Sequence, residues 1–179
     1  MSHSNRLNRF EQLILPHLDA AYNLARWLTG HDQDAQDVVQ EASLRAFRAF
    51  DGFYGENGRA WLLTIVRNTA YNLLQKNKSL RQTTPFDEEL HGNAGASECA
   101  TPLSLLRGAE DEQNLRAAVE ALPDEFREAL VLRHQDGLSY REIALIAGVP
   151  TGTVMSRLAR ARARLKDFLA KGNREEEAS

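Results

Sequence analysis

Basic side chains are concentrated near the carboxyl-terminal end of a chain that is otherwise slightly acidic. The stretch from Pro150 to Lys171 contains a single acid, Asp167, whereas the whole chain of 179 residues has a formal net charge of −3. The bases of this stretch are Arg157, Arg160, Arg162, Arg164, Lys166 and Lys171. Guanidinium groups bind phosphate and can donate two hydrogen bonds to the O6 and N7 atoms of guanine. The stretch therefore predicts DNA binding, and a merely solvated basic helix end is the alternative.

The residues around these bases predict the two helices of a helix-turn-helix. Ser139 and Glu142 have the spacing of a capping box, which predicts a helix that begins at Tyr140. Gly148 favours a tight turn after this helix, and a second helix is predicted from Thr151. The predicted apolar stripe of the second helix consists of Val154, Leu158, Ala161, Leu165, Phe168 and Leu169.

The other side of the second helix is basic. At 100° per residue, the side chains directly opposite the apolar stripe are Ser156, Arg160 and Ala163. The side chains at intermediate angles are Arg157, Arg162 and Arg164. A basic outer face is what a second helix needs in order to enter the major groove of DNA.

Residues 34–50 predict an amphipathic helix with a polar partner surface. Its predicted buried stripe consists of Ala35, Val38, Val39, Ala42, Ala46, Ala49 and Phe50. The opposite side carries Asp37, Gln40, Glu41, Leu44 and Arg48. Because Leu44 is apolar among polar neighbours, it indicates a docking surface with a small apolar anchor, and an ordinary solvated face is the alternative.

Residues 50–78 predict an aromatic loop followed by a helix that begins near Arg59. The predicted buried side of this helix consists of Trp61, Leu62, Ile65, Val66 and Ala70. Its predicted exposed side consists of Arg59, Asn68, Asn72, Gln75, Lys76 and Lys78. Asparagine amides can read base edges, and an aromatic loop can receive an unstacked base. Core packing is the favoured reading for Trp61, and solvated helix residues are the alternative for the asparagines.

The chain as a whole predicts an all-α protein with two small helical domains joined by a flexible linker. The domains are predicted at residues 1–78 and 110–171, the linker at 79–109 and a polar tail at 172–179. The linker lacks apolar periodicity and contains an acidic run at Asp87, Glu88 and Glu89. No run of about 18 apolar residues and no signal peptide is evident, which predicts a cytoplasmic protein without membrane contact. Cys99 is the only cysteine, so neither an internal disulfide nor a multi-cysteine zinc site is predicted, and no cofactor is expected.

Three segments together resemble the extracytoplasmic-function sigma factors of bacterial RNA polymerase. They are NLARWLTGHDQDAQDVVQEASLRAF, GRAWLLTIVRNTAYNLL and LPDEFREALVLRHQDGLSYREIALIAGVPTGTVMSRLARARARL. The first two are similar to region 2 of that family and the third to region 4. Their order, with a linker between them, is more specific than any one of them.

The resemblance implies a function in promoter recognition and a set of residues for it. The residues implied to bind core polymerase, including the clamp helices of the largest polymerase subunit, are Asp37, Gln40, Glu41 and Leu44. The residues implied to bind the −10 element are Phe53, Tyr54, Asn57, Arg59, Asn68, Asn72 and Lys76. The residues implied to bind the −35 element are Arg141, Thr153, Met155, Ser156, Arg157, Ala159, Arg160, Arg162 and Arg164. The implied partners are the two largest subunits of core polymerase, promoter DNA and an inhibitory anti-sigma factor.

Two residues depart from the family pattern. Met155 stands where many members carry Lys or Arg, and Ala159 is small where larger side chains are common.

Two other functions fit the sequence less well. A free-standing repressor is disfavoured because no dimerisation heptad is evident. A metal-dependent enzyme would use the carboxylates Asp32, Asp34, Asp37 and Glu41. It is disfavoured because no general base, nucleophile or second carboxylate cluster accompanies them.

Overall fold

The computed structural model describes residues 3–83, 109–134 and 137–177, and over these residues it forms α-helices and turns without a β-strand. The first four helices are α1 (His3–Leu13), α2 (Leu18–Thr29), α3 (Asp32–Ala49) and α4 (Gly58–Thr83). The others are α5 (Ala109–Glu120), α6 (Asp124–His134), α7 (Tyr140–Ala147) and α8 (Thr151–Glu177). Of the two compact units in the chain, one holds α1–α4 and the other holds α5, α6 and α8. The predicted all-α, two-domain architecture is confirmed.

Part of the predicted linker lies outside the described residues. This part is 84–108, with Cys99 and the acidic run at Asp87, Glu88 and Glu89. Residues 79–83 continue α4, and α8 continues through the start of the predicted tail to Glu177.

The core of the first unit lies where α2, α3 and α4 pack on one another. Its most completely buried side chains include Leu24 of α2, Val38 of α3, and Leu62 and Leu63 of α4. Ala35, Ala42 and Ala46 of α3 have no exposed surface, and such small side chains let the neighbouring helices approach closely. The predicted stripe of α3 is therefore confirmed over most of its length. Ala49 is exposed, because α3 ends there and the chain enters a 3-10 turn at Phe50–Gly52.

An aromatic cluster borders this core where α1, the end of α3 and the start of α4 meet. The ring centroid of Phe10 lies 5.2 Å from those of both Phe47 and Phe50, in edge-to-face geometry. Phe53 stacks on Trp61 with a centroid distance of 4.6 Å. Gly58 begins α4 directly against the end of α1, where a Cβ atom would overlap the carbonyl oxygen of Leu13. Only glycine fits there without a shift of the backbone.

In the second unit, Arg127 ties the turn between α5 and α6 together. Its Nη2 atom donates hydrogen bonds to the carbonyl oxygens of Glu120 and Leu122, each at 2.8 Å. Its Nε atom donates to the carbonyl of Val119 at 3.3 Å. Val119 and Glu120 are the last residues of α5 and Leu122 lies in the turn that follows, where carbonyl groups lack the regular hydrogen bonds of a helix. The guanidinium therefore completes the helix end and holds α5 beside α6.

The predicted helix-turn-helix is present, with both helix starts at the predicted residues. The Ser139 amide donates to Glu142 Oε2 at 2.8 Å, and the Glu142 amide donates to Ser139 Oγ at 3.2 Å, which is the complete capping box. Gly148 follows α7 with φ of 66°, a left-handed conformation that favours glycine. α8 then begins at Thr151.

The apolar stripe of α8 is buried only in its first half. Val154, Leu158 and Ala161 are at most 1% exposed, whereas Phe168 is 42% exposed. The far end of the predicted apolar stripe, at Phe168, is therefore largely open to solvent. The reason is length, because α8 has 27 residues while its packing partners α5 and α6 have 12 and 11.

Candidate functional site

The outer face of α3 carries the residues predicted for polymerase docking. Asp37, Gln40 and Leu44 are exposed, Leu44 to 47%, and Glu41 is half-buried. Gln33 Nε2 donates to Asp37 Oδ1 at 3.2 Å, and Arg45 Nε pairs with Glu41 Oε1 at 2.7 Å. Both carboxylates thus have a partner on the helix itself, which restricts their rotamers while their surroundings stay open to solvent.

A cleft of about 290 Å³ lies between this face of α3 and helix α4. Its lining residues are Asp37, Val38, Glu41 and Arg45 from α3 and Thr69, Asn72, Leu73 and Lys76 from α4. The cleft brings together two sets of residues that the sequence assigns to different partners, the α3 carboxylates to polymerase and Asn72 and Lys76 to DNA. Sequence reasoning missed Thr69, Leu73 and Arg45, because only the packing of α3 on α4 places them beside the predicted residues.

The loop before α4 offers one aromatic ring to solvent. Tyr54 is 87% exposed, whereas Phe53 is 7% exposed and stacks on Trp61. Phe53 therefore belongs to the core, contrary to the expectation that it lies open to an unstacked base. Asn57 caps α4, since its Oδ1 atom accepts a hydrogen bond from the Ala60 amide at 3.0 Å.

The polar side of α4 is exposed at Asn68, Asn72 and Lys76. Arg59, in the first turn, is half-buried and lies near His17. The pKa of His17 is lowered from 6.5 by burial and then by the positive charge of Arg59. Arg59 therefore contributes to the electrostatics inside the first unit as well as to its basic surface.

On α8, the side chains opposite the buried stripe are open. The exposed ones are Met155, Ser156, Ala159, Arg160, Arg162 and Arg164, and Thr153 is half-buried. Arg141, on α7, is also exposed. This distribution confirms the predicted angles of Ser156 and Arg160 on the helix.

Two of the arginines predicted to bind DNA contact side chains of α6. Arg157 Nη2 lies 3.3 Å from Glu125 Oε2, and the Arg157 side chain is only 18% exposed. Two helical turns further along, the guanidinium of Arg164 lies 5.2 Å from the ring centroid of Phe126. Adjacent residues at the start of α6 thus hold one flank of α8. The sequence gives no sign of these pairs, whose members are more than 30 positions apart.

Arg162 influences a histidine at the end of α6. The pKa of His134 is lowered from 6.5 by partial burial and then by the charges of Arg162 and Arg133. His134 therefore stays neutral to a lower pH in the folded protein than in the unfolded chain.

Neither a membrane segment nor a metal centre is found in the described parts of the chain. Within residues 3–83, 109–134 and 137–177, no helix is both long enough and apolar enough to cross a bilayer. The same residues contain no group of three or more His, Cys, Asp or Glu side chains placed to hold a metal ion. Asp32, one of the carboxylates considered for a metal-dependent enzyme, is paired with Arg26 and accepts a hydrogen bond from Tyr22.

Comparison with protein families and relatives matches both units. Residues 13–80 match sigma-70 region 2, and residues 112–165 match sigma-70 region 4. The chain is 34% identical over 167 residues to an ECF RNA polymerase sigma factor, SigE, of Mycolicibacterium smegmatis. It is 40% identical over 134 residues to the ECF RNA polymerase sigma-E factor of Escherichia coli K12. These alignments cover 93% and 72% of this chain, which spans 63% and 70% of the lengths of the two relatives.

Solved structures with the same fold include proteins bound to a partner. The sigma factor RpoE of Bartonella quintana, solved with the anti-sigma factor NepR, is 32% identical with a TM-score of 0.73. That match covers 90% of this chain and 97% of the other. CnrH, solved with the cytosolic domain of CnrY, is 26% identical with a TM-score of 0.64, over 92% of this chain and 90% of the other.

Proposed function

Because the chain belongs to the extracytoplasmic-function sigma factors of RNA polymerase, we propose that it binds core polymerase and directs initiation at a specific set of promoters. The observation that carries this proposal is the exposed basic face of α8, the second helix of a helix-turn-helix. The other unit exposes the polar face of α3. The catalytic chemistry would belong to the polymerase, so the chain itself would act as a specificity subunit and not as an enzyme.

We assign core polymerase docking to α3. Asp37, Gln40 and Glu41 would meet basic and polar groups of the largest subunit, with Leu44 as an apolar anchor. The 47% exposure of Leu44 supports this, since burying an exposed leucine in an interface is favourable. The second-largest subunit would complete the docking site.

The melted −10 strand would be bound by the first unit. Tyr54 would stack on an unpaired base, because its ring is the exposed one in the loop before α4. Asn68 and Asn72 are one helical turn apart and can present amides to base edges, with Lys76 beside a phosphate. Arg59 would add positive charge, while Asn57 would act by capping α4 and Phe53 by packing beneath the loop.

The −35 duplex would be read by α8. Arg160 and Ser156 face away from the core and would contact base edges, and Arg162 would contact phosphate. Arg141 on α7 would contact the DNA backbone, as the first helix of this motif does. Arg157 and Arg164 would chiefly hold α8 at its angle through Glu125 and Phe126.

The two units would act together only on the polymerase. Each DNA site is small, and a chain bound through one of them would bind promoters weakly because ordering both units is costly. Docking on core polymerase would fix both units and turn two weak contacts into one bivalent contact. Initiation would then depend on both promoter elements.

We also propose control by an anti-sigma factor, in the cytoplasm. The support is the sigma factor of Bartonella quintana, 32% identical, which was solved with its anti-sigma factor. An inhibitor of that kind would cover the α3 face and the α8 face, which are the exposed surfaces that the active state needs.

Transcription from reconstituted components tests the function. Purified chain and core polymerase are incubated with a library of genomic promoter fragments, and the start sites are mapped. We expect starts that share a −35 and a −10 element and that are lost without the chain. A chain that does not co-purify with core polymerase, or that adds no start site, would contradict the proposal.

A further inference from the structure

Met155 is a large apolar side chain left open to solvent in the first turns of α8. It is 54% exposed, whereas its neighbours Val154 and Leu158 are each 1% exposed. The residues beside it on the helix surface, Gly152 and Ala159, are exposed and too small to cover it. Met155 therefore offers apolar surface that becomes more stable when a partner covers it.

The surroundings of Met155 favour DNA as that partner. Arg162 and Lys166 follow it at seven and eleven positions, which places them on the same row of the helix, and both are exposed. Ser156 and Arg160 lie on the adjoining row opposite the buried stripe. In a helix-turn-helix, the amino-terminal residues of the second helix reach base edges. Met155 occupies such a position, and the cations further along suit the phosphates.

The chemistry of the major groove limits what a methionine can recognise there. Each base pair presents hydrogen-bond donors and acceptors, and the apolar group among them is the C5-methyl of thymine. A thioether has no donor and is a weak acceptor, so it can gain little from the polar edges. We infer that Met155 sets specificity by packing against the C5-methyl group of a thymine in the −35 element. This inference rests on the proposed function, since it requires α8 to enter that element.

Replacing thymine by deoxyuridine tests the inference, because deoxyuridine lacks the methyl group and keeps the pairing edge. Holoenzyme is first used to select active promoters from a library with a randomised −35 block. Each selected thymine, on either strand, is then replaced in turn. We expect one replacement to weaken promoter binding by about fourfold, the effect of losing one buried methyl contact. Holoenzyme with Met155→Ala should bind the thymine promoter more weakly and be insensitive to that replacement.

Two variants of the same helix serve as controls. Phe168 is also an exposed apolar residue of α8, at 42%, but lies more than three turns further along. Phe168→Ala should retain the full response to deoxyuridine. Arg160→Ala should weaken binding and still respond, because it contacts a different base pair.

Three results would overturn the inference while initiation itself is retained. They are a selected −35 block without thymine, an unchanged deoxyuridine response in Met155→Ala, and an equal loss of initiation by that variant on selected and scrambled blocks. The last result would show that Met155 contacts protein. Failure to initiate at any promoter would instead overturn the proposed function, and the inference with it.

Discussion

Asp37 of α3 and Lys76 of α4 line the same cleft, although the first is assigned to polymerase and the second to the −10 strand. A polymerase segment that docks on α3 would therefore come next to Asn72 and Lys76. Under the proposed function, the docking surface and the surface used in promoter opening would meet at this cleft, and single variants of its lining residues should separate the two activities.

The first prediction concerns docking. Replacing Asp37, Gln40 and Glu41 together by Ala should weaken core polymerase binding by about tenfold or more, as the loss of strong interface contacts does. The fold should be unaffected, because these side chains lie outside the buried stripe. Titration of labelled chain with core polymerase measures the affinity, and circular dichroism checks the fold. Glu11→Ala, an exposed acid on α1, is the matched control. Equal affinities of the triple variant and this control would refute the assignment of α3.

The second prediction concerns the asparagines of α4. Asn68→Ala should reduce the opening of duplex promoters without changing core affinity, because Asn68 does not line the cleft. Asn72→Ala should lower both, since Asn72 does line it. Permanganate reactivity of unpaired thymines reports opening on duplex and on pre-melted templates. If both variants open duplex promoters as well as the parent, the −10 contacts must be sought at Tyr54.

The third prediction separates two arginines of α8. Arg157→Ala should lower the free energy of unfolding by about 1 kcal/mol, because it removes the ion pair with Glu125 and a mostly covered side chain. Arg160→Ala should leave stability within about 0.5 kcal/mol, as exposed substitutions usually do. Arg160→Ala should weaken the free energy of binding to promoters with the native −35 element by about 1–3 kcal/mol. Urea unfolding and promoter binding measure the two effects. A stability loss for Arg160→Ala as large as for Arg157→Ala would contradict this division.

The fourth prediction concerns the contact between α1 and α4. Gly58→Ala should destabilise the protein by about 1–3 kcal/mol, because the added methyl group overlaps the carbonyl oxygen of Leu13. Gly52→Ala is the control, since nothing lies within 4 Å of its added Cβ atom. Thermal unfolding of both variants measures the difference. Equal melting temperatures would show that α1 can move away from α4 at little cost.

The fifth prediction concerns pH. Burial, together with nearby arginines, lowers the pKa values of His17 and His134 in the folded protein from 6.5. Below pH 6.5 the unfolded chain therefore binds more protons than the folded one, so stability should fall as the pH falls from 6.5 through the folded-state pKa values. His17→Gln and His134→Gln should each flatten this fall. Melting temperatures between about pH 7.5 and 5 test this, and slopes identical to that of the parent would contradict it.

Local features of the fold could be predicted from the sequence, whereas features that depend on distant contacts could not. Ser139 and Glu142 are three residues apart, so their spacing alone specifies the capping box and the start of α7. The partners of Phe53 and Arg157 are set by how helices pack. Phe53 has the residue type of a base-stacking side chain, but Trp61 covers its face. Arg157 has the angle of a phosphate contact, but Glu125 lies within reach only because α6 crosses α8.

Helix α8 is divided into residues that pack within the second unit and residues that are exposed. This division bears on how promoter preference would diverge between duplicated copies of such a chain. Val154, Leu158 and Ala161 are fixed by the core, and Arg157 is fixed by Glu125. Met155, Ser156, Ala159 and Arg160 are exposed, so under the proposed function they would contribute to DNA reading and little to stability. A duplicated copy would then change its target sequence through a handful of substitutions that alter the folding stability little. New regulatory circuits would arise in this way without compensating changes elsewhere in the chain.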